Sequence, residues 1–186
     1  MEEAKAIAQL KAGNIDALRT LVNYHQVQAV QAAVLITQDR ASAEDIVQNA
    51  FLRCFERAEL FDSARPFRPW FMRMVINDAL KAACQQRRYL SLDAQEDETY
   101  QALIEKLEGA PEAPEDILQR RELHQAIREA LQKLSPQQRA AIVQRYYLGL
   151  SELEMSSKLN CAPGTVKWHL NAARQKLRML LVPFVK

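Results

Sequence analysis

The sequence predicts an all-helical protein with two small helical domains, an N-terminal helical bundle and a C-terminal helix-turn-helix, joined by a flexible acidic linker. The chain has only four Gly in 186 residues, and its apolar residues recur at helical intervals rather than in the alternation typical of strands. Charge is unevenly distributed along the chain. Residues 91–116 carry one Lys against nine acids, a net charge of −8, whereas residues 117–186 carry twelve cations against four acids, a net charge of +8. We therefore expect domains at 1–90 and 119–186 and a linker at 91–118.

The first half of the chain contains two amphipathic helical segments. One is predicted to begin at Ser42, where a Ser followed by acids can satisfy the free amides of a first turn. Its apolar side consists of Ile46, Val47, Ala50, Phe51, Cys54 and Phe55. The other lies within "FRPWFMRMVINDALKAACQQRR", 67–88, and its apolar stripe consists of Met72, Val75, Ile76, Ala79, Leu80 and Ala83.

The linker is predicted from a loss of helical pattern between Ser91 and Pro114. The stretches "SLDAQEDETY" and "EGAPEAPED" are polar or contain Pro, which is typical of a segment without a core of its own. Only Leu103, Ile104 and Leu107 offer a short helical turn.

The last third predicts a helix-turn-helix. Ser135-Pro136-Gln137-Gln138 has the form of a helix start with Pro at the first helical position, and this helix should end near Gly149. Ser151 begins a second short helix that should end near Asn160. A tight break at 160–163 then leads into "GTVKWHLNAARQKLR", Gly164 to Arg178.

This last segment is predicted to bury one stripe and to expose a basic strip beside it. The buried stripe is Val166, Leu170, Ala173 and Leu177, and the polar strip is Lys167, Asn171, Arg174 and Arg178. Lys and Arg can pair with guanine acceptors and phosphates, and Asn can pair with adenine, so the strip indicates a helix that binds in the DNA major groove. Trp168 is expected outside the core. Its ring either folds back over Lys or Arg stems or contacts a thymine methyl or a sugar edge.

A second polar face lies on the 67–88 segment, where Trp70, Arg73, Asn77 and Lys81 follow at intervals of three, four and four. An aromatic plane, cations and an amide on one surface suit single-stranded DNA, because they supply stacking, charge and hydrogen bonds to a base edge. The alternative is that Trp70, which follows Pro69, is a core residue.

Enzymatic and metal-binding functions find little support. The three His (His25, His124 and His169) are scattered, the three Cys (Cys54, Cys84 and Cys161) have no metal-ligand or disulfide spacing, and there is no Gly-rich phosphate loop. We expect no catalytic residue, no metal and no cofactor. The start "MEEAKAIAQL" resembles no secretion signal, and no long apolar run occurs, so a cytoplasmic protein is expected.

Four motifs in order resemble a known family: "SAEDIVQNAFLRCF", "FRPWFMRMVINDAL", "LSPQQRAAIVQRYYLGLSELEMSSKL" and "PGTVKWHLNAARQKLR". Over roughly residues 15–90 and 120–182 the chain is similar to the small two-domain sigma factors of bacterial RNA polymerase, the extracytoplasmic-function group of the sigma-70 family. The resemblance implies an alternative sigma factor that binds core polymerase and directs promoter recognition, DNA melting and transcription initiation.

The resemblance also implies roles for individual residues and partners. Contacts with the clamp helices of the largest polymerase subunit would come from Asp45, Gln48, Phe51 and Leu52. The downstream promoter element would meet Trp70, Arg73, Asn77 and Lys81. The upstream element would meet Thr165, Lys167, Trp168, Asn171 and Arg174. The second domain would also rest on the flap of the other large subunit, the acidic linker would follow the RNA path, and an anti-sigma factor is expected.

This sequence departs from the family pattern at several positions. Asn49 replaces a common acid, Leu153 replaces a frequent Glu, and Ala162 stands where Ser usually caps the helix. Trp168-His169 replaces a small residue and Arg, so the promoter sequence does not carry over from relatives. The alternative function is a stand-alone helix-turn-helix regulator that binds operator DNA as a dimer, although no apolar dimerisation helix is evident.

Overall fold

The computed structural model describes residues 2–86, 125–159 and 161–182. All regular structure in these ranges is helical, which confirms the predicted all-helical class. The chain divides into two compact units, Met1–Ala83 and Cys84–Lys186. The predicted linker at 91–118, with its short turn at Leu103, Ile104 and Leu107, lies outside the described residues. None of the helices in the described ranges is long and apolar enough to cross a membrane.

The N-terminal unit contains four helices: α1 (Glu2–Lys11), α2 (Leu18–Thr37), α3 (Arg40–Glu56) and α4 (Phe67–Gln86). Short 3-10 turns precede α2 at Ile15–Ala17 and follow α3 at Ala58–Leu60. The chain turns between α2 and α3 at Gln38, whose φ of 62° is left-handed and whose N–H donates to Val34 O at 2.7 Å. A left-handed residue just after the last helical one is a common way to end a helix.

Small side chains bring α2 and α3 together. On α2 the fully buried positions include Ala29, Ala32 and Ala33, and on α3 they include Ala43 and Ala50. The distance between packed helices depends on the side chains at their contact, so these alanines allow a close approach. Larger apolar residues of α4, mainly Phe71, Met72, Val75 and Ile76, complete the core of this unit.

The start of α3 differs from the prediction. Asp39, and not Ser42, is the N-cap residue, because its side chain accepts a hydrogen bond from Ser42 N at 3.2 Å. Ser42 lies three positions inside the helix, and its hydroxyl also donates to the Asp39 carboxylate. A carboxylate at the N-cap satisfies an otherwise free amide. The apolar stripes are also narrower than predicted, since Ile46, Phe55 and Leu80 are only half-buried.

The C-terminal unit contains helical residues 125–132, called α5, followed by α6 (Pro136–Ile142), α7 (Glu152–Leu159) and α8 (Pro163–Leu181). The predicted start at Ser135 is confirmed: Gln138 N donates to Ser135 Oγ at 3.2 Å, and Ser135 N donates to Gln138 Oε1 at 2.9 Å. Ser151 and Glu154 form a similar reciprocal pair at α7. In contrast, Ala162 precedes α8 without a side-chain cap.

A π-helical turn, Val143–Tyr147, extends α6 toward Gly149, where φ is 69°. The core of the helix-turn-helix consists of Ala141, Leu150, Met155, Val166 and Leu170. This core packs α8 against α6 and α7, so the helix carrying the basic strip is held along one side and open along the other.

Candidate nucleic-acid interface

The outer side of α3 carries three of the four predicted polymerase contacts. Asp45, Gln48 and Leu52 are all exposed, and Leu52 keeps 51% of its surface accessible. At 100° per residue they lie within one 60° sector of the helix, opposite the buried Val47 and Cys54. Asn49, the departure from the family pattern, is exposed 40° beyond Asp45, next to this sector. This face combines one acid, two amides and one apolar side chain.

The fourth predicted contact, Phe51, is placed differently. It is buried at 5% exposure and stacks on Phe71 of α4, with ring centroids 4.4 Å apart. Its position on α3 lies on the core side, so a surface contact would require withdrawing an aromatic ring from the apolar interior. Phe51 therefore supports α3 from beneath and does not form part of the exposed face.

Three of the four residues predicted to contact the melted DNA strand form a row along α4. Arg73, Asn77 and Lys81 are exposed at intervals of four, which places them on one face of the helix. This row is opposite the buried stripe of Val75, Ala79 and Ala83. Two cations with an amide between them give a surface that attracts phosphate and can bind one base edge by hydrogen bonds.

Trp70 occupies a position between the two alternatives considered from sequence. It is half-buried at the first turns of α4. Its ring centroid lies 5.1 Å from that of Phe61 and 5.7 Å from that of Phe67. The residue is therefore partly a core aromatic, and a part of its ring is left accessible to a ligand.

The exposed side of α8 carries the predicted groove contacts. Thr165, Lys167, Trp168 and Asn171 are exposed, while Val166, Leu170 and Ala173 are fully buried. Leu177, predicted as buried, is only half-buried. Trp168 keeps 64% of its surface accessible and meets His169 edge-on, with ring centroids 4.9 Å apart. Burial lowers the pKa of His169, which favours its neutral form.

Arg174 is held by a residue that the sequence did not point to. Its Nε donates to Tyr146 Oη at 2.9 Å, and its guanidinium carbon lies 5.8 Å from the centre of the Tyr146 ring. Arg174 Nη1 also donates to Asn171 Oδ1 at 3.5 Å. Tyr146 itself is 63% exposed. The π-helical turn changes the phase of the α6 extension at this point, so no α-helical periodicity could have placed Tyr146 beside α8.

The described residues contain no cluster of three or more His, Cys, Asp or Glu that could hold a metal ion. All three cysteines are free. Burial raises the pKa of the Cys54 thiol to about 12, against a smaller lowering by the charge of Arg53. A thiol of that kind is unreactive at neutral pH, so Cys54 is a packing residue.

Comparison with known proteins agrees with this geometry. The sigma-70 region 2 family matches residues 21–89, and the sigma-70 region 4 family matches residues 124–177. The ECF RNA polymerase sigma factor SigW of Bacillus subtilis is 30% identical over 178 residues, which cover 95% of each chain. The chain belongs to the ECF sigma factors of the sigma-70 family. It is an alternative sigma factor that directs promoter recognition in transcription initiation.

Two solved structures share the fold of this sigma factor. One is CnrH in complex with the cytosolic domain of CnrY, with a TM-score of 0.65, 24% identity and coverage of 98% of this chain and 99% of that chain. The other is the sigma factor RpoE in complex with the anti-sigma factor NepR from Bartonella quintana, with a TM-score of 0.59, 20% identity and coverage of 86% and 97%.

Proposed function

We propose that the two units of this sigma factor divide the work of initiation. Residues 1–90 bind core polymerase and the melted downstream element. Residues 119–186 bind the upstream element, and the acidic linker at 91–118 joins them along the RNA path. The chain has no catalysis of its own, needs no metal or cofactor, and acts in the cytoplasm, where the polymerase is.

The outer face of α3 is the proposed site for the clamp helices of the largest subunit. Asp45, Gln48 and Leu52 are exposed together although the packing of their own unit uses the opposite side of α3. An acid beside an apolar side chain suits a protein partner better than DNA, because phosphate would repel Asp45. This exposed mixed face is the observation that carries the proposal.

The exposed row on α4, formed by Arg73, Asn77 and Lys81, is the proposed site for the melted DNA strand. Arg73 and Lys81 supply charge for phosphates, and Asn77 between them supplies a donor and an acceptor for one base edge. The accessible part of the Trp70 ring offers a stacking surface at the end of this row. A single base is read by Asn77, and the cations fix the strand without sequence preference.

The exposed side of α8 is the proposed site for the upstream element. Lys167 and Asn171 are four residues apart, so they project from one face toward the floor of a major groove. Thr165 and Trp168 widen this contact at the N-terminal half of the helix. Arg174, held by Tyr146, points its charge at a backbone phosphate. The C-terminal unit also rests on the flap of the other large subunit, as the family resemblance implies.

An anti-sigma factor is the further partner that we propose. The RpoE structure similar to this chain holds the anti-sigma factor NepR, and the CnrH structure holds the cytosolic domain of CnrY. Sequestration by such a protein would keep this sigma factor from core until a signal releases it.

A charge reversal on α3 tests the proposal. Asp45→Arg combined with Gln48→Ala should abolish association with purified core in a pull-down, because it removes one polar contact and replaces an attractive charge by a repulsive one. Helicity and the thermal midpoint should stay unchanged, since both residues are exposed.

The matched control is Glu59→Arg combined with Gln26→Ala, the same chemical changes at exposed positions of the same unit. It should bind core at full strength. If the Asp45→Arg, Gln48→Ala variant recovers core at wild-type strength, the outer face of α3 is not the core-binding site. The proposed division of work between the two units then loses its central support.

A further inference from the structure

Helix α1 is attached near both ends, to α2 at one end and to the segment before α4 at the other. At its C-terminal end, Lys11 Nζ donates to Phe61 O at 2.7 Å and to Ser63 Oγ at 3.2 Å. Near its N-terminal end, Glu3 Oε1 accepts a hydrogen bond from His25 Nε2 at 2.7 Å. Between these two attachments Ala6 and Leu10 are buried. The helix is thus fixed along one face, against α2 and the 3-10 turn at Ala58–Leu60.

Both attachments lead to the aromatic side chains on which Trp70 rests. Phe61, whose carbonyl Lys11 holds, has its ring centroid 5.1 Å from that of Trp70. His25, which Glu3 holds, lies 5.3 Å from Phe67, and Phe67 lies 5.7 Å from Trp70. Phe61 and Phe67 also meet each other edge-on at 5.6 Å. Two chains of contact therefore run from α1 to the same indole ring.

We propose that α1 positions Trp70 for capture of the melted strand, with Lys11 and the Glu3–His25 pair as positioning residues. The inference rests on the proposed role of Trp70 in the downstream element. It extends that role to a segment outside the sigma-70 region 2 match, which begins at residue 21. None of the three residues needs to touch DNA for this effect.

The physical reason is the half-buried state of Trp70. A ring that is only partly enclosed takes its orientation from the groups beneath it, and the ring of Phe61, whose backbone carbonyl Lys11 holds, is one of these groups. The loop after Phe61 is exposed at residues 62–66. Lys11 joins this loop to α1 through its hydrogen bonds to Phe61 O and Ser63 Oγ. The Asp62–Arg65 and Asp62–Ala64 contacts, in contrast, are internal to the loop. Losing Lys11 frees the loop and tilts the ring without opening the core.

The test compares initial promoter binding with strand melting by holoenzyme, using a fluorescent base analogue in the downstream element of a promoter found by run-off transcription. Lys11→Met keeps the apolar stem and removes the charged donor. It should slow melting by about tenfold, since a hydrogen bond from a charged group is lost. Affinity for core and for the unmelted duplex should not change. Lys11→Arg should restore most of the rate because it keeps a charged donor.

Glu3→Ala is the second variant and should slow melting in the same way through His25. The matched controls are Lys5→Met and Glu2→Ala. Lys5 is exposed on the same helix, and Glu2 bonds the exposed hydroxyl of Tyr24 at 2.9 Å. Neither control should change the melting rate.

Trp70→Ala, measured in parallel, distinguishes a failure of the positioning role of α1 from a failure of the proposed strand site at Trp70. If Trp70→Ala slows melting and Lys11→Met does not, the positioning role of α1 is wrong and the role of Trp70 stands. If Trp70→Ala melts the promoter at the wild-type rate, the proposed strand site itself is wrong. Loss of core binding by both Lys11→Met and Glu3→Ala would make α1 a general folding element and would also overturn the inference.

Discussion

Tyr146 offers a sharp test of how α8 is arranged for DNA. Tyr146→Phe removes the hydroxyl that accepts the Arg174 Nε hydrogen bond and keeps the ring 5.8 Å from the guanidinium. A hydrogen bond to a charged group is worth about 1.5–3 kcal/mol, but Tyr146 is 63% exposed and water competes, so we expect about 1 kcal/mol. This corresponds to about a fivefold loss of affinity for the upstream element.

Tyr146→Ala should cost more because it also removes the cation–π contact, worth about 0.5–1 kcal/mol at an exposed site. The combined loss of about 2 kcal/mol corresponds to about thirtyfold. Both values are upper limits, since a released Arg174 still reaches a phosphate part of the time.

The assay is fluorescence anisotropy of holoenzyme on promoter DNA over a range of salt concentrations. Arg174→Ala should reduce the slope of log affinity against log salt by about one, because one phosphate contact is lost. Tyr146→Phe should leave this slope unchanged, since the charge remains. Tyr24→Phe, which removes an exposed hydroxyl bonded at 2.9 Å in the other unit, is the matched control and should have no effect.

The double variant decides whether Tyr146 acts through Arg174. If it does, Tyr146→Phe combined with Arg174→Ala should lose no more affinity than Arg174→Ala alone. Strictly additive losses, or wild-type affinity in Tyr146→Phe, would refute the positioning argument.

Three further predictions concern the individual faces. Asn77→Ala should change base preference at one position of the downstream element at a cost of about 1–3 kcal/mol with normal core binding; an equal loss at all promoters in run-off assays would contradict base reading. Lys167→Ala and Asn171→Ala should each weaken transcription only from promoters that keep the upstream element, and unchanged discrimination by Lys167→Ala at fixed salt would refute the groove assignment. Phe51→Ala should destabilise the N-terminal unit by about 3–5 kcal/mol in thermal unfolding, whereas Leu52→Ala should weaken core binding with an unchanged midpoint; the reverse pattern would contradict the placement of the two residues.

The start of a helix is predictable from sequence where one residue can act as the N-cap. It is not predictable where two nearby side chains compete to be the N-cap. Ser135 and Gln138 satisfy each other's amides within four residues, so local chemistry alone identifies the start of α6. At α3 the sequence offers two acceptors three residues apart. Asp39 competes successfully with Ser42 because its carboxylate accepts from both the amide and the hydroxyl of Ser42. A pattern of residue types does not decide between such caps.

Phe51 shows where a family resemblance and helical periodicity disagree. The periodicity of α3 placed Phe51 on the apolar side with Val47 and Cys54, whereas the resemblance assigned it to the polymerase contact. The structure buries it against Phe71, in agreement with the periodicity. A resemblance transfers the position of a motif, but the side on which a residue lies follows from its angle around the helix.

Contacts between distant residues were beyond prediction from sequence. Arg174 meets Tyr146 across 28 positions, through a π-helical turn that ordinary helical spacing does not anticipate. Lys11 meets Phe61 across 50 positions. Both contacts depend on tertiary packing, and they connect the predicted DNA-binding residues to supports that helical spacing does not identify.

Sigma-factor function is tested most directly by run-off transcription with purified core polymerase on a genomic promoter library, with and without this chain. A sigma factor should give discrete transcripts only when chain and core are both present, and the chain alone should bind the same promoter duplexes weakly. Tight duplex binding by the chain alone, with transcription by core unaffected by its addition, would contradict a sigma factor and indicate a stand-alone helix-turn-helix regulator.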